Sequence, residues 1–379
     1  MKKLIMKRNS KLCIVFLFAF FITSIIKAQK PLPCGNYRID RAAENKAKQF
    51  LLSNTNQPAI VNSLVRVYFH ICTNDDGTNA AITPAQLATE FTTLLGSYAA
   101  DNICFLNAGT DYVRNTYLNI FFNADNDPTG TLFSPYQVPG CINCFYTQKI
   151  NGNNTACNPP CGYGGITLGG IPGTLFLVGS SNIGFGSSVS HEMGHCLGLL
   201  HTFEPTNGNE DINGANGSSA ADKVADTPAD PYVFNGTACY TLSANKCLYT
   251  GTCTDPNGAS NYSPPYSNLM GYWWNTVTPT CYPNLAATPG QFTRVNGFLG
   301  SSSVLINCSS PTSVILYPTT VSSGYYMQSA INTFITNGAV VFNGSSIATI
   351  GGGTVYLEPG FHANPSSGGL IDIKIKTCN

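Results

Sequence analysis

Between residues 63 and 122 the chain switches between two hydrophobic periods. Val65–Cys72 (VRVYFHIC) is apolar, β-branched and aromatic, and predicts a strand. Thr83 and Pro84 then open a helix. Threonine suits the N-cap and proline the first helical position. Leu87, Phe91, Leu94, Leu95 and Tyr98 follow at helical spacing. Ile103–Leu106 and Tyr117–Phe122 predict two further strands, Thr174–Gly179 another, and a helix begins near Ser187 or Ser188. The strand–helix–strand order predicts a sheet with a helix packed on it. Upstream, Asp40–Leu52 has modest helical character within a charged segment that has no core of its own.

Past residue 301 the pattern changes. A Ser/Thr/Pro-containing connector runs to about residue 320. Beyond it Ile331–Ile335, Ala339–Phe342, Thr354–Leu357 and Leu370–Ile375 are short β-like runs separated by glycines. They predict a small all-β module of about three rungs or hairpins.

Composition narrows the setting. Only 10% of the 379 residues are charged, against about 25% in an average soluble protein. Lys+Arg and Asp+Glu are both 19, and no basic stripe points to nucleic acid. Lys2, Lys3, Lys7, Arg8, Lys11 and Lys27 precede any acid and flank the apolar run Leu12–Ile26. That is the form of a secretory signal peptide over 1–28; a membrane anchor is the alternative, and the run is short of the ~20 residues a span needs. No later apolar stretch is long enough to span a membrane. Removal of residues 1–28 leaves a net charge of −6. Fourteen cysteines follow Cys13, which in an exported protein implies up to seven disulfides. Cys141, Cys144, Cys157 and Cys161 resemble two metal-binding pairs, but their irregular spacing and the oxidising setting favour disulfides. Cys308 and Cys378 bracket the tail and are candidates for joining.

The chemistry is concentrated in one run: His191-Glu-Met-Gly-His195-Cys-Leu-Gly198-Leu-Leu-His201. Four residues advance a helix by roughly 400°, so His191 and His195 share a face. Glu192 sits beside the first and can approach a metal-bound water. His201, six residues on, would face away on a continuous helix. Gly198 permits the left-handed helix end that turns the chain back. Three neutral imidazoles leave a fourth tetrahedral position on zinc for water, which defines a catalytic site. His70 and His362 read as ordinary residues.

At this motif the sequence resembles the metzincin zinc endopeptidases. Asn268-Leu-Met270-Gly-Tyr272 resembles their Met-turn, with Met270 as an apolar floor below the metal. His201-Thr-Phe203, Asp226-Thr-Pro228, Tyr272 and Thr288-Pro-Gly-Gln-Phe292 resemble the pappalysin-like branch over roughly residues 60–300. Gly271 departs from the family, which often has Asp there. The resemblance implies an α+β catalytic domain: a twisted mixed sheet, an active-site helix beneath it, and an irregular lower half carrying the Met-turn. It implies one catalytic zinc, with Tyr272 as a stabiliser of the tetrahedral oxyanion or, alternatively, a packing residue. It also implies a calcium site using Asp226 and Thr227, near Glu210, Asp211 and Asp222, although their spacing fits a solvated acidic loop equally. Cys34-Gly35 resembles a cysteine switch, in which a thiolate occupies the catalytic position; a disulfide at Cys34 is the competing reading. Were Cys34 to serve the metal, Cys196 would be the natural unpaired partner in the count. The tail around Val355–Ala363 resembles a coathanger-stack module.

The expected organisation is a signal peptide (1–28), a short propeptide (29–58), a zinc protease domain (59–300), a linker (301–320) and a C-terminal β module (321–379). The expected activity is secreted, zinc-dependent endoproteolysis of protein or peptide substrates, with Glu192 as general base and acid. The tail would contact the cell surface or export machinery. The alternative is an inactive zinc-binding adhesion protein.

Overall fold

A computed structural model describes residues 38–53, 63–101, 103–154, 161–184, 187–232, 239, 241–243, 248–273 and 285–301, and strand backbone within 313–375. The expected signal peptide, Cys34, Cys157, Cys308 and Cys378 lie outside the described residues.

The first helix, α1 (Arg41–Ser53), is followed by β1 (Ser63–Thr73), α2 (Pro84–Tyr98) and β2 (Ile103–Arg114). Thr83 accepts the Gln86 amide while the Gln86 side chain accepts the Thr83 amide, closing a capping box at the predicted start of α2. Strands β3 (Ile142–Thr147), β4 (Ile150–Asn154), β5 (Cys161–Tyr163), β6 (Gly165–Leu168) and β7 (Leu175–Gly179) precede helices α3 (Ser188–Cys196) and α4 (Pro289–Ser301).

The main sheet has the order β2-β1-β3-β7-β6. Four strands run parallel and β6 closes one edge antiparallel to β7. It is mixed, as expected, but mostly parallel, because α2 makes a crossover between β1 and its parallel neighbour β2. Both faces are covered, which explains the near-continuous apolar run in β1. Val65, Val67, Phe69 and Ile71 face a core shared with Leu87, Leu94 and Tyr98 of α2, Val189 and Met193 of α3, and Val295 and Leu299 of α4. Cys72, Phe145 and Leu177 pack on the other side with Phe122 and Phe133.

Two expectations are corrected. Tyr117–Phe122 is not a strand: Tyr117–Phe121 is a π-helical turn. Its burial does not alternate, since Tyr117 and Phe121 are exposed while Leu118 and Asn119 are adjacent and buried. The Asn115 side chain accepts the Leu118 amide, and the Asn119 side chain accepts the Gln148 amide and donates to the Asn79 carbonyl. These side-chain bonds stand in for a sheet ladder. Full disulfide pairing is also corrected. Cys72, Cys144 and Cys196 are buried free thiols in the apolar core, so Cys144 is not the disulfide partner its spacing suggested. Cys239 and Cys253 do form a disulfide.

From Gly198 to residue 288 the described residues are mostly turns, the irregular lower half that was expected. Beyond α4 the described backbone comprises strands β8 (Ser313–Leu316), β9 (Thr319–Ser329), β10 (Thr333–Thr336), β11 (Val340–Gly352), β12 (Thr354–Leu357), β13 (His362–Pro365) and β14 (Leu370–Ile375). All their pairings are parallel.

Candidate active site

Helix α3 is buried along its whole length. From α2, the Ser97 hydroxyl donates to that of Ser190, and the Tyr98 hydroxyl donates to the Ser190 carbonyl. Below, the Met270 sulfur packs so closely on Gly194 that a Cβ there would collide with it. This explains the glycine between Met193 and His195.

The helix ends as predicted. Gly198 has φ +89°, its amide donates to the His195 carbonyl, and the Leu199 amide donates to the Gly194 carbonyl. Both bonds belong to the left-handed helix end that glycine favours. The reversal brings His201 back towards the helix. The ligand-capable atoms of His191, His195 and His201 all lie within 4.8 Å of one another. The Nε2 atoms of His195 and His201 are 3.2 Å apart.

Proton placement follows from the partners. His191 Nδ1 donates to the Leu269 carbonyl at 2.8 Å, and His195 Nδ1 to the Leu199 carbonyl at 2.9 Å. Those assignments leave Nε2 of each ring as a lone-pair donor. His191 Nε2 is buried with no hydrogen-bond partner among the described residues. Burial pulls the His191 pKa down to about 4, against the raising effect of the Leu269 bond. Burial, then the neighbouring imidazoles, also pull His195 and His201 well below the ordinary value. All three are neutral near pH 7, the form that binds metal. A tetrahedral ion with Zn–N distances of about 2.0–2.1 Å spaces its ligand nitrogens by about 3.3 Å. The orphaned Nε2 and the converging rings therefore fit zinc.

Glu192 is buried beside this centre and lies against Gly165 of β6. Its Oε2 accepts from the Thr167 hydroxyl at 3.0 Å. Thr167 escaped sequence analysis, since nothing local marks a strand threonine as a partner of a helix glutamate. Tyr272 is buried, its ring centroid 4.8 Å from His201 and 5.7 Å from His191. Phe203 stacks on His201 at 4.9 Å and meets Tyr272 and Tyr232.

The turn at Asn268–Tyr272, the expected Met-turn, is held without an aspartate at position 271. The Asn268 carbonyl accepts the Gly271 amide, and its side chain accepts the Met270 amide at 2.9 Å. Asn268 also donates to Gln291 of α4 at 2.9 Å. The Asn two residues before Met270 was the available signal for this turn. Asp230 ties the two sides of the lower half together: it accepts from Thr202, Tyr232 and Trp273. Burial raises its pKa to about 6, with those three bonds opposing. Asp226 caps α4, accepting from the Thr288 hydroxyl and the Gly290 amide; Thr227 beside it is buried. A cavity of about 210 Å³, lined by Phe203, Glu210, Asp230 and Tyr232, adjoins the histidines through Phe203. Burial and the neighbouring Asp222 push Glu210 up to about 8. His70 is an ordinary buried histidine, bonded to Asp111 and Asn143.

Three imidazoles on a helix and its reversal, an adjacent glutamate and a methionine floor define a zinc metalloendopeptidase. Comparison with known proteins agrees. Residues 166–272 match the family model described as Peptidase_M43, pregnancy-associated plasma protein-A. The chain is 28% identical over 247 residues to an extracellular metalloprotease of Podospora anserina, covering 62% of this chain and 72% of that protein. It is 27% identical over 302 residues to one of Neurospora crassa, covering 71% and 88%. A promirolysin variant from Tannerella forsythia aligns with TM-score 0.42 and 16% identity over 72% of this chain and 95% of that one. The family match thus spans β6 to Tyr272, the stretch that holds the three histidines. No helix among the described residues is long and apolar enough to cross a membrane.

Proposed function

We propose that this metalloprotease hydrolyses internal peptide bonds outside the cell, with Glu192 as general base and acid and Tyr272 as oxyanion donor. The observation that carries the reading is the convergence of three neutral imidazoles, with Glu192 buried next to His191 on the same helix. A zinc ion held by His191, His195 and His201 supplies Lewis acidity, lowering the pKa of water and polarising the scissile carbonyl. Glu192 takes a proton from the attacking water and returns it to the leaving amine. Thr167, bonded to Glu192 Oε2, fixes the carboxylate's orientation. Tyr272 donates from its hydroxyl to the oxygen that gains charge at the tetrahedral stage. Phe203 and Tyr232 hold that ring from the side. The cavity beyond Phe203 receives a substrate side chain.

An extracellular setting is supported by the signal-like start, by the Cys239–Cys253 disulfide and by the names of the relatives. The composition shift after residue 301 supports an accessory role for the tail, in surface association or export. The test is cleavage of a denatured protein mixture with and without a chelator. Wild type should cleave, and chelation should stop it. Tyr272→Phe should lower kcat by about 10²-fold with little change in KM. An inactive adhesion protein would show no chelator-sensitive cleavage.

A further inference from the structure

Helix α1 falls in the segment that the sequence assigns to a propeptide, yet it is built into the wall behind the metal site. It lies along α4, where a Cβ on Gly297 would press against Leu51 and the Ala47 carbonyl. Its half-buried Glu44 carboxylate receives Arg294 of α4 and Lys223 of the lower half, each at 3.1 Å, and Arg41 at 2.8 Å. Arg294 also reaches the end of α3, where its Nε donates to the Gly198 carbonyl at 2.7 Å. One turn along α4, the Phe298 ring packs on Gly198 itself, under the Arg294 guanidinium at 5.5 Å. The residue that reverses the chain towards His201 is thus gripped by α4 at its carbonyl and at its α-carbon.

We infer that Glu44 and Arg294 are positioning residues for the third metal ligand, so that α1 is a standing part of the catalytic domain and remains in the active enzyme. The inference rests on the zinc reading above. Geometry gives the reason. The Gly198 carbonyl points out of the end of α3 and needs a donor. A guanidinium can serve two acceptors at fixed angles, which an ammonium cannot. Glu44 orients that guanidinium by taking Nη2 while Nε meets Gly198. Burial raises the Glu44 pKa, but Arg41, Arg294 and Lys223 outweigh it and hold the carboxyl down at about 2, so the chain of bonds is charged across the working range.

The test measures zinc affinity of the full chain by competition with a chromophoric chelator, together with the visible absorption bands of the cobalt-substituted protein. Neither readout depends on turnover. Arg294→Lys keeps the charge facing Glu44 but loses the forked donor; Glu44→Gln keeps the shape but releases the guanidinium. Each should weaken zinc binding by about 10-fold or more, the scale of losing a group that orients a metal ligand, and should alter the cobalt bands. Arg41→Ala removes the exposed partner of Glu44 and its bond to Asn207, touches neither Arg294 nor Gly198, and should match wild type in both. Should Glu44→Gln fail to fold, Arg294→Lys decides. Wild-type affinity and cobalt bands in Arg294→Lys would overturn the inference. So would N-terminal sequencing that finds fully zinc-loaded, active enzyme beginning after Ser53; a start before Arg41 is expected. Wild type that binds no zinc would instead sink the zinc reading, and this inference with it.

Discussion

The regions on the two sides of α3 are held by different physics. Above α3, β1, β3 and β7 bury both faces against α2, α3 and the aromatic cluster around Phe133 and Phe145. Burial there is non-directional and summed over many side chains. Below α3, between Gly198 and Trp273, Leu199, Leu269 and Met270 still join the core, but the rest of the described chain depends on the Cys239–Cys253 disulfide and a few directed bonds. Asp230 joins Thr202 to Trp273, Asn268 joins the Met-turn to Gln291, and Asp255 closes a turn by accepting from Ile212, Asn257 and Ala259. The groups proposed to act in catalysis sit on the seam. His191, Glu192 and His195 come from the packed half, whereas His201, Met270 and Tyr272 come from the bonded half. Damage above should therefore cost stability, and damage below should cost metal geometry.

The largest effect expected is on the seam. Glu192→Ala should lower kcat by about 10²–10⁴-fold, the range of general acid–base catalysis, while zinc content stays at wild type. Equal turnover by both proteins would remove Glu192 from the mechanism. Leu94→Ala, in the centre of the upper core, should cost about 2–5 kcal/mol in denaturant unfolding but leave kcat/KM of the folded protein unchanged. A fall in kcat/KM without loss of stability would reverse the division between the halves.

Legibility divided along the same line. The continuous apolar runs placed β1 and β7, and the period-3.6 run placed α2, within a few residues, because burial imposes its pattern on the sequence. The three histidines and Gly198 were readable because the geometry of a shared metal ion, the role proposed for them, dictates such a separation. The π-helical turn at Tyr117–Phe121 was not, since its stability comes from Asn115 and Asn119 bonding to distant backbone. Nor were Thr167, Asp230 and Arg294, whose partners are 25, 28 and 96 residues away. Those contacts exist only once the chain has folded. Cys144 misled for the related reason that spacing alone does not show a side chain aimed into an apolar core.

Smaller effects sharpen the contrast. Asn268→Ala should weaken zinc binding measurably and cost only about 1–2 kcal/mol of stability, the scale of one or two buried hydrogen bonds. A loss as large as that of Leu94→Ala, with unchanged metal affinity, would class the Met-turn with the packed half. The smallest effect is the pH dependence of Glu44. Its folded pKa of about 2 lies below the ordinary 4.5, so its charged form adds stability that is complete above pH 4.5 and lost as pH falls towards 2. The stability difference between wild type and Glu44→Gln should be constant above pH 4.5 and shrink below it. A difference that grows on acidification would contradict the ion pairs with Arg294 and Lys223.

The most direct test of the zinc site is X-ray absorption at the zinc edge of the purified protein, combined with metal analysis. One zinc per chain is expected, ringed by three imidazole nitrogens and a solvent oxygen, with the coordination lost in His201→Ala. A sulfur in the coordination shell of the mature enzyme, or a coordination shell unchanged in His201→Ala, would contradict it.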